Sequence, residues 1–298
     1  MGYTIIVFVK QVPDTQNITG EAMKPDGTVN RAALPAIFNP EDLNALELGL
    51  QLKERYGARL VVGTMGPPNA AEVLRESLYR GADEAVLLTD RAFAGADTLA
   101  TSYALSKCAA KIGKFDLILC GRQAIDGDTA QVGPQLAEKL GLPQIAYVEE
   151  VESLSKNKIK ARRSIEGGFE VVEGPLPCLL TVVEANEPRP AHGKRIMLYK
   201  KAKTRSELVK AHADANYTDA EMLVEEEEKL KANGLLIEEL TAADVGAEED
   251  RIGLKGSPTK VKQIESVVLK GADFKKIEPT DVGVNALMHE LIEDHTLG

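Results

Sequence analysis

Predominantly apolar runs recur through the first half of the chain at residues 4–9, 60–64, 84–88 and 117–120. Each is too short for a helix and lacks strict polar alternation, the pattern of a strand buried on both faces. Between them the apolar residues return with helical spacing. Leu43, Leu46 and Leu50 mark one face of a helix over 39–56. It starts at Asn39 or Pro40, with Glu41 and Asp42 placed to complement the helix dipole. Residues 69–80, stopped by Gly81, and 97–112, capped by Asp97, predict two more helices. Strand and helix alternating at this cadence specify a doubly wound, mostly parallel α/β sheet.

The most informative stretch is 115–143. After the run 117–120 comes a polar turn containing Gly121, Asp126, Gly127 and Asp128. Val132, Leu136 and Leu140 then recur at spacing four, ending at Gly141 with Pro143 just beyond. The order is strand, loop, helix. In an open parallel sheet such a loop lies at the carboxyl ends of the strands, where ligands bind, and the helix start offers N–H groups and a positive dipole end to a phosphate. Thr129 or Asp128 can cap the helix, and Gly133 permits close backbone approach. The loop has neither the GxGxxG order of a dinucleotide fingerprint nor a Walker ending. On the residues alone it is an anion site or a plain helix cap. Two further loops, VKQVPD at 9–14 and MGPP at 65–68, leave strand ends on the same side.

After Tyr147 the texture changes. Residues 148–165 alternate apolar and charged positions like an antiparallel pair, IEGGFE supplies a Gly-Gly turn, and 169–172 and 178–183 are expected to pair back, extending the sheet edge. Residues 20–33 predict a small hairpin or excursion, and 186–195 are too rich in Pro and Gly for regular structure. Residues 206–230 predict a helix whose acidic run, Glu225, Glu226, Glu227 and Glu228, is either a solvated face or a partner site. Residues 253–270 hold few core positions. His289, Glu290, Glu293 and His295 match no closed metal site, and no metal is expected.

Composition narrows the function. The chain has 298 residues, 44% of them hydrophobic, enough for a substantial aliphatic core; it has no Trp. A net charge of −10 argues against nucleic acid or an anionic membrane as principal partner. Cys108, Cys120 and Cys178 are odd in number, widely spaced and in apolar contexts, which reads as reduced core thiols of a cytoplasmic protein. The N-terminus leads straight into the fold with no signal-like segment, and no apolar run is long enough to insert in a membrane.

GRQAIDGDTAQVGP, residues 121–134, closely resembles the segment of the electron transfer flavoprotein beta subunit that wraps the phosphates of a bound nucleotide. VKQVPD (9–14), FNPEDLNALE (38–47), TMGPP (64–68), YRGADEAVLL (79–88), IEGGFE (165–170) and NEPR (186–189) follow in the family's order over the first two thirds of the chain, with a weaker echo at GLKGSPTKV (253–261). The resemblance implies an adenine nucleotide alpha hydrolase-like α/β domain over 1–190. It also implies a partner-recognition loop and extended C-terminal arm over 191–298 that embrace an alpha subunit carrying its own FAD.

The implied cofactor contacts follow by position. Phe8, Val9 and Met65 would lie against the adenine. Asn39 would hold the ribose or a neighbouring loop. Gln123, Asp128, Thr129 and Gln131, with the amides through Val132, Gly133 and Pro134, would bind ribose and pyrophosphate, and Arg122 would add a cation. Lys10, Thr64, Gly66, Cys120, Asp126 and Gly127 complete the expected site. Arg122, Gly127, Ala130 and Val132 make the loop look like the electron-bifurcating form, in which a second FAD replaces AMP and accepts hydride from NADH. Electrons then pass to an acyl-CoA dehydrogenase and to ferredoxin or flavodoxin, and residues 190–197 stand where the family docks the dehydrogenase. A related nitrogen-fixation branch shares the pattern.

The flavin does the redox chemistry in such proteins, so no catalytic residue is expected. The alternatives are a beta subunit with structural AMP and a non-redox adenine-nucleotide-binding module. The latter usually shows a Gly- or Ser-rich phosphate loop after an early strand, which VKQVPD lacks. No Ser-His-Asp set supports a hydrolase.

Overall fold

Every early apolar run becomes a central strand in the computed structural model, which describes residues 2–14, 34–183, 187–214, 220–259 and 276–293. In chain order the first half contains β1 (Thr4–Phe8), β2 (Gln11–Pro13), β3 (Ala36–Phe38), α1 (Pro40–Tyr56), β4 (Arg59–Met65), α2 (Ala71–Arg80), β5 (Glu84–Leu88), α3 (Thr98–Ile112), β6 (Leu117–Gly121) and α4 (Val132–Leu140). The second half contains β7 (Gln144–Ser155), β8 (Lys158–Ile165), β9 (Gly168–Pro175), β10 (Cys178–Val182), α5 (Gly193–Tyr199), β11 (Lys203–Thr204), α6 (Arg205–Asp214), α7 (Ala220–Ala232), β12 (Leu236–Leu240) and α8 (Asp281–Glu293). The excursion expected at 20–33, together with Asn186 and His295, lies outside the described residues.

One sheet of ten strands runs β11-β12-β5-β4-β1-β6-β10-β7-β8-β9, and β2 pairs with β3 in a separate antiparallel ribbon. All neighbours from β11 to β7 are parallel; β8 and β9 are added antiparallel. This is the expected doubly wound fold with an antiparallel edge. Successive residues of each central strand feed opposite layers. Ile5 and Val7 of β1 pack with Leu46 and Leu50 of α1 and Leu74 of α2. Ile6 and Phe8 pack with Tyr103 and Leu105 of α3 and Leu136 of α4. Each of these aliphatic side chains stabilises the fold by roughly 2 kcal/mol through burial. Gly57 and Gly141, both left-handed at φ 64°, end α1 and α4.

Two expectations are corrected. Residues 178–182 do not pair back on the antiparallel extension. β10 inserts between β6 and β7, parallel to both, because all five of its residues are buried and only a two-sided interior position satisfies them. β7 does not keep a simple alternation either: Ile145, Val148, Val151 and Leu154 are buried at every third position, since register shifts between Val148 and Glu150 and between Val151 and Ser153 slip the strand against β8. The chain beyond Arg195 also enters the sheet. β12 lies beside β5 and β11 beside β12, closing the far sheet edge, with Ile237 fully buried. Of the helices in this part of the chain, α5, α7 and α8 have no buried residue. The acidic run faces partly inward: Glu226 meets His212 at 2.9 Å and Lys203 at 3.5 Å, and Glu227 meets Arg205 at 3.5 Å.

Candidate functional site

The carboxyl ends of β1, β4 and β6 open into a cleft of about 390 Å³. Its polar side is the loop from Gly121 to Gln131, and the first turn of α1 holds that loop almost residue by residue. Asp42 accepts the Gly121 amide at 3.1 Å and, through its other oxygen, the Lys10 amide at 2.8 Å. Glu41 takes the Arg122 guanidinium at 2.7 Å. The Asn39 carboxamide, fully buried, donates to the Gln123 carbonyl at 2.9 Å and accepts the Ile125 amide at 3.2 Å. Its own backbone N–H donates to the Lys10 carbonyl at 3.0 Å. Asn39 therefore does not cap α1 with its side chain. Of the two roles open to it, the structure places its side chain on the neighbouring loop.

Beyond Ile125 the loop is tied by its own acids. Asp126 pairs with Lys10 at 2.6 Å, and Asp128 accepts from Gln123 at 2.9 Å. Asp128 and Ala130 adopt left-handed backbone, φ 49° and 51°. Such alternation of hand lets successive amides turn to one side. Neither Thr129 nor Asp128 caps α4, a correction to the sequence expectation. The cap position is Gln131, with no side-chain bond to the helix, and Val132 and Gly133 of the first turn line the cleft. An uncapped helix start whose first residues face a cavity leaves its N–H donors open toward that cavity. Gly133 is needed for another reason: a Cβ there would stand 2.6 Å from Thr181 on β10. A Cβ at Gly127 would meet nothing within 4 Å.

The opposite side is apolar. Phe8, Val9, Met65, Cys120 and Val132 of the expected set line it, together with Lys10, Arg122, Gln123, Asp126, Gly127, Asp128, Thr129, Gln131 and Gly133 on the polar side. Asn39, Thr64, Gly66 and Pro134 lie outside the lining. Thr64 is buried and its hydroxyl has no hydrogen-bond partner. MGPP thus contributes Met65, whereas the loop between β5 and α3 supplies a wall not foreseen, with Phe93, Gly95, Ala96, Asp97 and Thr98, backed by Thr101 and Leu105 of α3. Asp97 does cap α3, accepting the Ala100 amide at 3.0 Å. The signal for that wall was available, because a strand-to-helix loop after β5 must open on the same side as the others.

Electrostatically the cleft is crowded with carboxylates, and both Lys10 and Arg122 already face one. Burial pushes the Asp42 carboxyl up to about 7, against the lowering influence of its amide donors. The Cys120 thiol is pushed up by burial first and by the Asp42 charge second, so it stays protonated and inert. Cys108 and Cys178 are pushed up to about 12 and about 11 by burial. All three are free and buried, as expected. Among the described residues no His, Cys, Asp and Glu groups converge as metal ligands, and no helix is long and apolar enough to cross a membrane.

The segment after the sheet is firmly seated. Arg189 forks onto the buried Glu47, with its Nε and Nη2 each at 2.9 Å from a carboxylate oxygen, and onto Glu54. Arg195 donates to the carbonyls of Leu78, at 2.7 Å, and Ala82, at the C-terminal end of α2, and stacks on Tyr199 at 4.8 Å. Between them α5 presents Met197 and Leu198, 62% and 47% exposed.

Comparison with known proteins agrees with this architecture. The electron transfer flavoprotein domain family matches residues 26–214. The chain is 42% identical over 292 residues to the electron transfer flavoprotein subunit beta of Clostridium acetobutylicum, spanning 98% of each. It is 38% identical over 302 residues to the acryloyl-CoA reductase electron transfer subunit gamma of Anaerotignum propionicum, spanning 98% of this chain and 99% of that protein. Over 187 residues it is 53% identical to the caffeyl-CoA reductase-Etf complex subunit CarD of Acetobacterium woodii, 62% of this chain and 70% of that one.

Proposed function

The chain belongs to the electron transfer flavoprotein family as a beta subunit, and from that premise we propose that its cleft binds a second FAD in an electron-bifurcating heterodimer. The observation that carries the reading is the uncapped start of α4 behind the left-handed Asp128 and Ala130. Both nearby cations already face carboxylates, so an anionic diphosphate needs directed amides to overcome like-charge repulsion. The donor set fits a nucleotide on this ground. Gln123, Asp128, Thr129, Gln131 and the amides through Gly133 hold ribose and pyrophosphate, while Phe8, Val9 and Met65 pack on the base. Gly127 removes a side chain and a charge beside the larger ligand, and the open space at its Cβ position is consistent with that role.

A flavin bound here supplies hydride acceptance from NADH and its division into single electrons. The chain's part is to bind, orient and exclude water. The alpha subunit carries the other FAD and passes one electron to an acyl-CoA dehydrogenase docked at residues 190–197; the second goes to ferredoxin or flavodoxin. Residues 191–298, α8 above all, supply the recognition loop and the arm that embraces the alpha subunit. These assignments place the protein in the cytoplasm. One relative is named as an electron transfer subunit of acryloyl-CoA reductase and another as a subunit of a caffeyl-CoA reductase-Etf complex, which supports a coenzyme A-linked acceptor.

A second reading, structural AMP in a non-bifurcating carrier, is favoured by the cleft's modest volume, at the low end of small-molecule sites. Counting nucleotides in the denatured complex with the alpha subunit decides between them. Two FAD and no AMP per heterodimer supports bifurcation, one of each makes the chain a plain carrier, and no nucleotide beyond the alpha subunit's FAD removes the cleft reading.

A further inference from the structure

Residues 248–259 fold back over the β5-to-α3 side of the cleft. The Glu248 amide donates to the Tyr103 hydroxyl at 3.2 Å, and Arg251 lies 4.0 Å above the Tyr103 ring. The Leu254 amide donates to the Ala94 carbonyl at 3.0 Å. Ser257 is 4% exposed; its hydroxyl accepts the Asp97 amide at 2.8 Å and donates to the Gly253 carbonyl at 2.6 Å. The Thr259 amide then donates to the Asp97 carboxylate at 3.0 Å. Two glycines make the turn this tight. A Cβ on Gly253 would stand 2.1 Å from the Ala92 carbonyl oxygen, and one on Gly256 would stand 2.1 Å from the Arg251 carbonyl carbon.

What this strap holds is the cleft wall. Gly95, Ala96, Asp97 and Thr98 face the phosphate loop, and Thr98 reaches Gln131 at 3.1 Å, so the wall and the loop touch directly.

We propose that Ser257 is a positioning residue for the cleft: by holding the Asp97 amide it sets the Gly95-to-Thr98 wall and couples cleft occupancy to the seating of the strap at residues 248–259. The inference rests on the cleft being a nucleotide site, and the coupling is reciprocal, so nucleotide binding steadies the strap as much as the strap steadies the wall.

The test uses the complex with the alpha subunit. Ser257→Ala leaves the partly buried Asp97 amide without its acceptor, and retention of the beta-subunit nucleotide is expected to weaken about tenfold. Leu208→Ala, a buried change in α6 outside the cleft, is the control for general destabilisation. If both variants lose nucleotide in proportion to their loss of thermal stability, Ser257 is merely structural and the proposal is overturned. A loss confined to Ser257→Ala supports it. Hydrogen exchange supplies the independent arm: adding FAD to stripped complex should slow the Leu254 and Thr259 amides. Protection that stops at residues 121–134 overturns the coupling, and no protection anywhere overturns the nucleotide reading and this inference with it.

Discussion

Asp42 and Gly121 interlock: the amide of Gly121 lies 3.1 Å from the Asp42 carboxylate, and a Cβ at 121 would stand 2.4 Å from the same oxygen. The approach of α1 to the end of β6 is thus possible only with glycine, and it places a buried carboxylate at the base of the 121–131 loop. Four consequences of this neighbourhood can be measured.

Asp42 is raised to about 7 by burial, whereas in the unfolded chain it titrates near 4. Between those values the folded protein binds the proton more tightly than the unfolded chain. Its stability should therefore fall as pH rises through this window and level off above 7, a change on the order of 4 kcal/mol at most. Asp42→Asn lacks the ionisation. Urea unfolding of both proteins at pH 5 to 8 should show the wild type losing stability relative to the variant; parallel profiles would mean that Asp42 ionises normally.

Asn39→Ala removes both bonds to the loop and leaves the Gln123 carbonyl and the Ile125 amide unpaired. A loss of roughly 2–4 kcal/mol is expected, with faster amide exchange over residues 121–131. Nucleotide retention should fall although Asn39 does not line the cleft. Unaltered exchange in the loop would show that the carboxamide is not what holds it.

Gly127→Asp separates binding from folding. Its Cβ has open space, so the stability change should stay within about 0.5 kcal/mol. The added charge beside a diphosphate should lower FAD occupancy several-fold. Thermal melting and cofactor counting on the same preparation check this, and equal losses in both would trace the effect to the fold.

Arg189→Ala strands the buried Glu47 without its fork. A destabilisation of about 3 kcal/mol is expected, together with faster tryptic cleavage at Lys194. Burial raises the Glu47 carboxyl, but the Arg189 bonds more than offset this and hold it below its usual range. The wild-type contribution therefore persists above about pH 4.5 and fades below it. Cleavage at the wild-type rate would mean that the segment is held by α5 and Arg195 alone.

The sheet was legible because its strands are short apolar runs separated by helices with clear stops at Gly57, Gly81 and Gly141. The cleft loop at 121–131 was legible by its place after a buried strand. What escaped the sequence were relationships across distance. The partners of Asn39 and Asp42 lie some eighty positions away in the chain, so no local pattern announces them. β10 was misplaced because an apolar run of five residues has no periodicity to say which neighbours it takes. β12 was missed because LIEEL carries two acids, yet Ile237 and Leu240 face inward.

The position of β10 also constrains how the molecule is made. β6 leaves the ribosome well before β10, with the whole β7–β9 antiparallel unit in between. Until residues 178–182 arrive, β6 has only its β1 neighbour and β7 lacks its parallel one. The nascent chain thus carries two apolar strand edges awaiting the same late insert. Truncations ending before Cys178 should therefore aggregate or recruit chaperones, while those ending after Val182 fill the gap between β6 and β7 and leave β5 as an open edge.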